Sequence, residues 1–544
     1  VRILQKKFFM NYTRNYLSCL FSICFALSTM TVRAQEYFTG AVFNPKTISE
    51  TPMKVNLSFR SFAALPTSYS LEQYAPTPGN QGKHGTCVAF ANGYGIATIL
   101  YAKTHNLTDK RLIDKYAFSP TFLYEQIKQP NDQNCQNGAD PITAIRVMIK
   151  SGEALMSTVP YLCGTPLGET AKTEAINYKL KDAALLFAAK GQLTVDDYVK
   201  TPEQIISITK KALSEGTPIS GGFTIPKSFF TIRSAVWTSD PSEVNENWQH
   251  NGHAMAVVGY DDNIAGGAFR VLNSWGNTWA DGGYVWMKYG DFARYCVMAL
   301  QVFADPNTMP PKENTPPAPS PSPQPKPEPG PKPQPAPEKT FALSGNIEFK
   351  LNTGEDMPVT KISTRNLTVE DDTKPEKEDL VAYTMRQTYT SGTRFRFYMN
   401  NDEEAYIYAF ATDLGGKVNL ILPFADNIST HVGKNSTIAF PSDTKVVQMD
   451  DQKGSDFLLI LYSAEKLDAP ALAAKMNGMK GAISTKIKTV LGNKLIDKAK
   501  IQYKGDQAGF STKGHSTRNL TVEDDSKAPT TGSVVPLMIE IKHQ

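Results

Sequence analysis

The chain has 544 residues, 41% of them hydrophobic and 20% charged, and a net charge of +4. Such a length exceeds one ordinary core and predicts about two to four domains of ~100–200 residues each. A near-neutral balance gives no reason to expect nucleic acid or an anionic membrane as partner, and the composition excludes a wholly disordered or fibrous protein.

In chain order, the first 34 residues read as an export signal. Arg2, Lys6, Lys7 and Arg14 precede an apolar run from Tyr16 to Val32, and Val32-Arg33-Ala34 suits signal peptidase. The run is short for a membrane span, so no transmembrane segment is expected after cleavage; an uncleaved anchor is the competing reading. Met10 is a candidate start within it. Residues 35–64 are polar and without clear period, a short pro-segment or N-terminal extension, and Leu65 to Asn80 is expected to be extended and to enter a turn. From Cys87, the residues Val88, Ala91, Gly95, Ile96 and Ile99 recur at helical spacing and are mostly small, which predicts a buried central helix with Cys87 at its N-terminus. Helices are predicted near 118–128, 141–151 and 202–214, and a strand after Gly216. The chain before that point reads as mainly helical, and the chain after it as strands.

The runs 255–260 and 268–272 are apolar and β-prone, with turn residues at 261–267. A hairpin centred near Asn263 pairs residues whose numbers add to about 526, which sets His253 opposite Asn273. Asp261 and Asp262 are read as turn residues. Residues 306–339 form a Pro-rich tract expected to be an extended spacer, a Pro-rich ligand being the alternative. Residues 340–544 read as a separate strand-rich domain, with strands at 393–399, 405–412, 418–422 and 456–463 and helices at 470–476 and 483–491. Ser363 to Asp372 recurs identically at Ser516 to Asp525; a duplicated edge segment, an acidic metal loop, and a docking or processing site are the readings open to it.

Chemistry converges on three pieces. Cys87 supplies a thiol at a helix N-terminus, where amides and dipole favour the thiolate. His253 supplies a base, and Asn273 an acceptor that orients the imidazole. The Gln81 side-chain amide and the Cys87 backbone N–H would bind a tetrahedral oxyanion. Taken singly, each residue is more often structural; their order and spacing point to catalysis. His84 is read as a loop residue.

Asn80-Gln81-Gly82 with Cys87 six residues after the glutamine, Gly252-His253-Ala254, and Asn273-Ser274-Trp275-Gly276 together resemble the papain family of cysteine peptidases over about residues 65–305. The resemblance implies an α+β, two-lobed catalytic domain, with a helical lobe bearing Cys87 and a β-barrel-like lobe bearing His253 and Asn273. It implies peptide-bond hydrolysis of polypeptide substrates without metal or organic cofactor, and a Trp275 that shields the Asn273–His253 bond. Cys135-Gln136-Asn137-Gly138 resembles the glycine loop of the family's cleft, which places Gly138 and Ala139, with Gly252 and Ala254, along the substrate. A specificity pocket is expected near 138–141 and 221–223. His84 and Val88 replace the usual Cys and Trp around the nucleophile, which removes one disulfide customary in the family; Cys163 is the partner expected for Cys135 instead, with Cys296 expected free. The family's long helical pro-region is missing. The C-terminal region resembles a bacterial accessory domain of unknown function, for which its aromatic strands offer either a surface for a cell-surface, glycan or protein ligand or a core. The whole reads as an exported bacterial cysteine endopeptidase, periplasmic, surface-bound or released; exopeptidase or transpeptidase action, or a vestigial peptidase acting in adhesion, are the alternatives.

Overall fold

Helices gather behind Cys87 and strands behind His253. The computed structural model describes residues 37–63, 65–188, 200–243, 252–310, 342–362, 379–412, 416–505, 507–512 and 532–544. The expected export signal, most of the tract expected to be a spacer and both copies of the repeat lie outside those residues, as does all of Val1–Phe38 except Tyr37 and Phe38. Thr39–Gln544 groups into one unit.

The central helix starts as Cys87–Ala89, widens to π geometry over Phe90–Ala97 and returns to α over Thr98–Thr104. A continuous α-helix was the expectation; the wide stretch contains Gly93 and Gly95. Gly93 faces the buried Glu153 carboxylate, and a Cβ at Gly95 would lie 3.5 Å from Ala256 Cβ, so small residues let the helix press on the strand that carries His253. Pro120–Ile127 and Pro141–Ser151 pack beside it. Each opens on proline and is capped by a side chain, Ser119 accepting from the Phe122 amide and Asp140 from that of Thr143.

The strands form one sheet, ordered Ile428–Ser429, Met53–Lys54, Leu180–Ala188, Cys296–Ala304, Ile219–Thr224, Gly252–Asp261, Ala268–Leu272, Tyr284–Lys288 and Val236–Trp237, with Ser68–Ser70 against Gly252–Asp261. Leu180–Ala188 corrects the mainly helical reading of the first half. Its sequence, Leu-Lys-Asp-Ala-Ala-Leu-Leu-Phe-Ala, lacks alternation because the strand is buried on both faces over most of its length.

Beyond the spacer the chain makes two further sheets. One contains Arg394–Asn401 and Ser344–Leu351, the other Ala405–Thr412, Gly454–Ser463 and Val534–His543, and helices Ala469–Asn477 and Ile483–Leu491 lie with the second. Phe395, Phe397, Tyr398, Tyr406, Tyr408 and Phe410 are all buried, as aromatics on packed strands are.

This strand-rich region is docked on the first half. Met53–Lys54 lies between the two, parallel to Ile428–Ser429 on one side and to Leu185 on the other. Lys54 is fully buried: its Nζ donates to Glu215 Oε2 at 3.0 Å and to Gln301 Oε1 at 2.6 Å. Glu215 also meets Lys211 at 3.2 Å and accepts from Ser436 Oγ at 3.0 Å, while Lys211 donates to the carbonyls of Lys434 and Asn435. Burial lowers the Lys54 ammonium from its usual range, with Glu215 opposing; burial raises the Glu215 carboxyl, but Lys54 and Lys211 outweigh it and hold it low. On the same interface the His431 ring stacks between Phe303 and Tyr406 at 3.8 and 4.1 Å, and its Nε2 lies 3.0 Å from Glu404. Removing Glu215 strands two ammonium groups without water, so Glu215→Ala should destabilise the native state by about 3–5 kcal/mol. Urea unfolding checks this: the midpoint is expected to fall clearly, and further than for Glu215→Gln.

Candidate active site

Cys87 is the first residue of its helix, and the residue before it, Thr86, spends its hydroxyl on Tyr161 rather than on a cap. Tyr161 in turn donates to the Gln81 carbonyl at 2.8 Å, so the Gln81-to-Cys87 turn is braced through a ring that sequence reasoning passed over. The helix terminus was expected to favour the thiolate. Burial is larger: the thiol has no exposed surface and is pushed up to about 12, against the opposing pull of the Ala254, Gly40, Val88 and Cys87 amides.

His253 and Asn273 do meet, with Nε2 to Oδ1 at 2.8 Å. The register that brings them there differs from the expected one. Ala256 pairs with Leu272 and a bulge follows Val257, so Asn273 falls level with Met255, two residues off, while His253 pairs across its other edge with Phe223. An offset of two keeps side chains on the same face, which is why the contact survives. Asn273 accepts again from the Ser274 amide at 2.8 Å, which fixes its carboxamide. Trp275 is buried and stacks on the imidazole at 4.9 Å, backed in turn by Phe230. Burial lowers His253 to about 4, with the Asn273 hydrogen bond opposing, so the ring is neutral at pH 7. Its Nδ1 has no hydrogen-bond partner among the described residues. With Nε2 facing Asn273, Nδ1 is the nitrogen left to take or hold a proton.

Gln81 is buried. Its Oε1 accepts from Ser274 Oγ at 2.5 Å and its Nε2 donates to the His84 carbonyl at 2.7 Å, which leaves one N–H of the amide for another acceptor. His84 lies at the loop, its Nδ1 3.1 Å from the Asn134 carbonyl. Asp261 caps the turn by accepting from the Asn263 amide, whereas Asp262 pairs with Lys210 at 2.6 Å. Cys135 and Cys163 form a disulfide with Cα atoms 5.9 Å apart; Cys296 is free and buried, and burial raises its thiol well above the usual range.

Between Gly138–Ala139 and Gly252 runs the chain's own segment 39–43, part of the stretch expected to be a short pro-segment or N-terminal extension. Ala41 makes a parallel bridge with Ala139: the Ala139 amide donates to the Gly40 carbonyl and the Val42 amide to the Ala139 carbonyl, both at 2.9 Å. The Gly40 and Ala41 amides donate to the Gly252 carbonyl at 3.0 and 2.9 Å. Phe43 packs on Gly222 and Gly252, within the expected specificity pocket. The approach is so close that only glycine fits: a Cβ on Gly252 would lie 2.0 Å from the Ala41 carbonyl oxygen, and one on Gly40 would lie 2.1 Å from that of Gly85. Ala254, beside His253, is buried and brings its amide to the Cys87 sulfur.

Comparison with known proteins matches this region. The papain family cysteine protease profile covers residues 70–305, and a profile for a domain of unknown function covers 388–466. A cathepsin B-like protease of Giardia intestinalis is 26% identical over 38% of this chain and 63% of its own length. Cathepsin J of Mus musculus is 26% identical over 39% of this chain and 57% of its own. The chain thus spans about three fifths of the length of these relatives. Xylellain, a cysteine protease from Xylella fastidiosa, superposes at a TM-score of 0.39 with 21% identity, covering 51% of this chain and 100% of that one. The stretch that the profile matches, residues 70–305, carries the cysteine, histidine and asparagine of the sequence motifs, and it is similar there to papain family cysteine proteases.

Proposed function

We propose that this protein is an exported cysteine endopeptidase that hydrolyses peptide bonds through an acyl-enzyme on Cys87. The observation that carries the reading is the His253–Asn273 hydrogen bond at 2.8 Å under Trp275, with Nδ1 left over and the amide of the next residue, Ala254, at the buried Cys87 sulfur. Asn273 holds the imidazole in one orientation without adding charge. His253 Nδ1 takes the Cys87 proton as sulfur attacks the substrate carbonyl, and returns it to the leaving amine. The spare N–H of Gln81 and the Cys87 backbone N–H stabilise the oxyanion. Water then attacks the thioester, with His253 again as base, and frees the acid.

Ala139 and Gly252 offer main-chain donors and acceptors along the groove, which suits an extended polypeptide. Residues 39–43 hold those groups now, so the 35–64 stretch serves as a pro-segment and the described form is latent. Latency accounts for the two neutral partners: with the groove filled, burial disfavours both thiolate and imidazolium. The Cys135–Cys163 disulfide supports an oxidising compartment, in keeping with export. Among the described residues no helix is long and apolar enough to cross a membrane.

For activity, His253→Ala should lower kcat by ~10²–10⁴ once the groove is open, Cys87→Ala should abolish turnover, and Asn273→Ala should weaken turnover while leaving Cys87 labelling detectable. Peptides of graded length check the mode: internal cleavage of long peptides is expected, whereas stepwise trimming from one end would favour the exopeptidase reading. For titration, the raised Cys87 pKa makes the thiolate scarce at pH 7. Iodoacetamide labelling of the native chain should therefore be slow at pH 7 and keep climbing with pH past the ordinary thiol midpoint of ~8.5; a plateau below pH 9 would contradict it.

A further inference from the structure

The segment in the groove is too short to hold itself there. Four main-chain hydrogen bonds and Phe43 fasten it to the peptidase, at positions an incoming polypeptide would compete for. Its downstream continuation is fastened elsewhere. The Met53 amide donates to the Asn427 carbonyl at 2.7 Å, and Met53 pairs with Ile428. Ser58 Oγ and the Phe59 amide both donate to Asp443, at 2.7 and 2.9 Å. Ser61 Oγ donates to the Thr437 carbonyl and accepts from the Thr437 amide. Arg60 pairs with Glu348 at 2.8 Å and lies 3.8 Å over the Tyr398 ring. Every one of these partners belongs to the strand-rich region after the spacer.

We propose that this C-terminal region is a clamp: by gripping residues 53–61 it keeps residues 39–43 seated in front of Cys87, and loosening that grip opens the groove to substrate. The proposal rests on the peptidase reading above and gives the accessory region a role that its own fold does not announce. Two features of the contact fit a restraint better than a substrate. The Gly40 amide near the Cys87 sulfur is already spent on the Gly252 carbonyl, together with that of Ala41, so the segment is tied to the groove wall beside the thiol. Moreover, chain length between Phe43 and Met53 is taken up by the Pro45–Ser49 helix, whose cap Asn44 accepts from the Lys46 amide and whose Glu50 meets Arg146, so the grip is transmitted through structured chain. Lys54, locked against Glu215 and Gln301, fixes the same stretch to the peptidase sheet, so the segment is held by both halves at once.

The test uses the full chain. Four forms are compared with the native one: Asp443→Ala with Arg60→Ala, which removes grip without touching the groove; Gly40→Val, which drives a side chain into the Gly85 carbonyl and unseats the segment directly; Arg60→Glu, which breaks one contact; and Arg60→Glu with Glu348→Arg, which restores it. Cys87 alkylation at pH 7 is read against Cys296, whose slow labelling reports an intact fold. The Asp443/Arg60 form should label Cys87 on the order of tenfold or more faster than native, approaching Gly40→Val, with Cys296 unchanged. Arg60→Glu should label Cys87 faster, and the charge-swapped double form should return toward native. Native-rate labelling of the Asp443/Arg60 form beside fast labelling of Gly40→Val would overturn the clamp, as would equal gains at Cys87 and Cys296 or no recovery in the double form. Hydrolysis of a small peptide amide is a separate arm: fast labelling of Gly40→Val without hydrolysis would overturn the peptidase reading instead.

Discussion

An ammonium group with no access to water must be paired, and Lys54 meets that requirement in a way that ties three parts of the chain together. Its partners Glu215 and Gln301 belong to the peptidase, the next link Ser436 to the strand-rich region, and Lys54 itself to the stretch that follows the groove. Leaving any one of these charges alone in the interior costs several kcal/mol, so the three parts are placed together or not at all. The two-residue strand around Lys54 adds direction to the electrostatics by pairing on both of its edges within one sheet, with Leu185 of the first half and with Ile428–Ser429 of the strand-rich region.

Around Cys87 the same closeness sets the chemistry. The amide of Ala254 and the ring of His253 come from adjacent residues of one strand, and the small-residue face of the central helix lets that strand approach the thiol. Trp275 roofs the imidazole, and Ser274 ties Gln81 to the far side of the groove. Each contact excludes water, and exclusion of water is what drives thiol and imidazole alike toward their neutral forms. Both groups are therefore held uncharged while the groove is filled.

Much of the site was legible in the sequence because its residues fall in short motifs with fixed spacing. Gln81 to Cys87 is a local turn, and His253 and Asn273 sit at the ends of a hairpin whose apolar runs were visible. The hairpin register was read two residues out: the turn is centred beyond Asn263, which puts the strands three residues out at Asp261 and Ala268, and the bulge after Val257 takes one back, so that the even remainder kept both side chains on one face. The strands at 405–412 and 418–422 and the helix at 483–491 appeared where their patterns placed them. Leu180–Ala188 did not, because a strand buried on both faces does not alternate. The docking of residues 53–61 was beyond local reading altogether: Ser58 reaches Asp443 across 385 positions, and nothing near either residue signals the other.

That separation has a bearing on how the molecule comes into being. A chain made from its N-terminus carries the Met53–Lys54 strand long before Ile428 and Ser429 exist to receive it, and closing contacts of such span is slow because so much chain must first be brought to order. One edge of the peptidase sheet therefore waits, unpaired, until the last third of the protein has been synthesised.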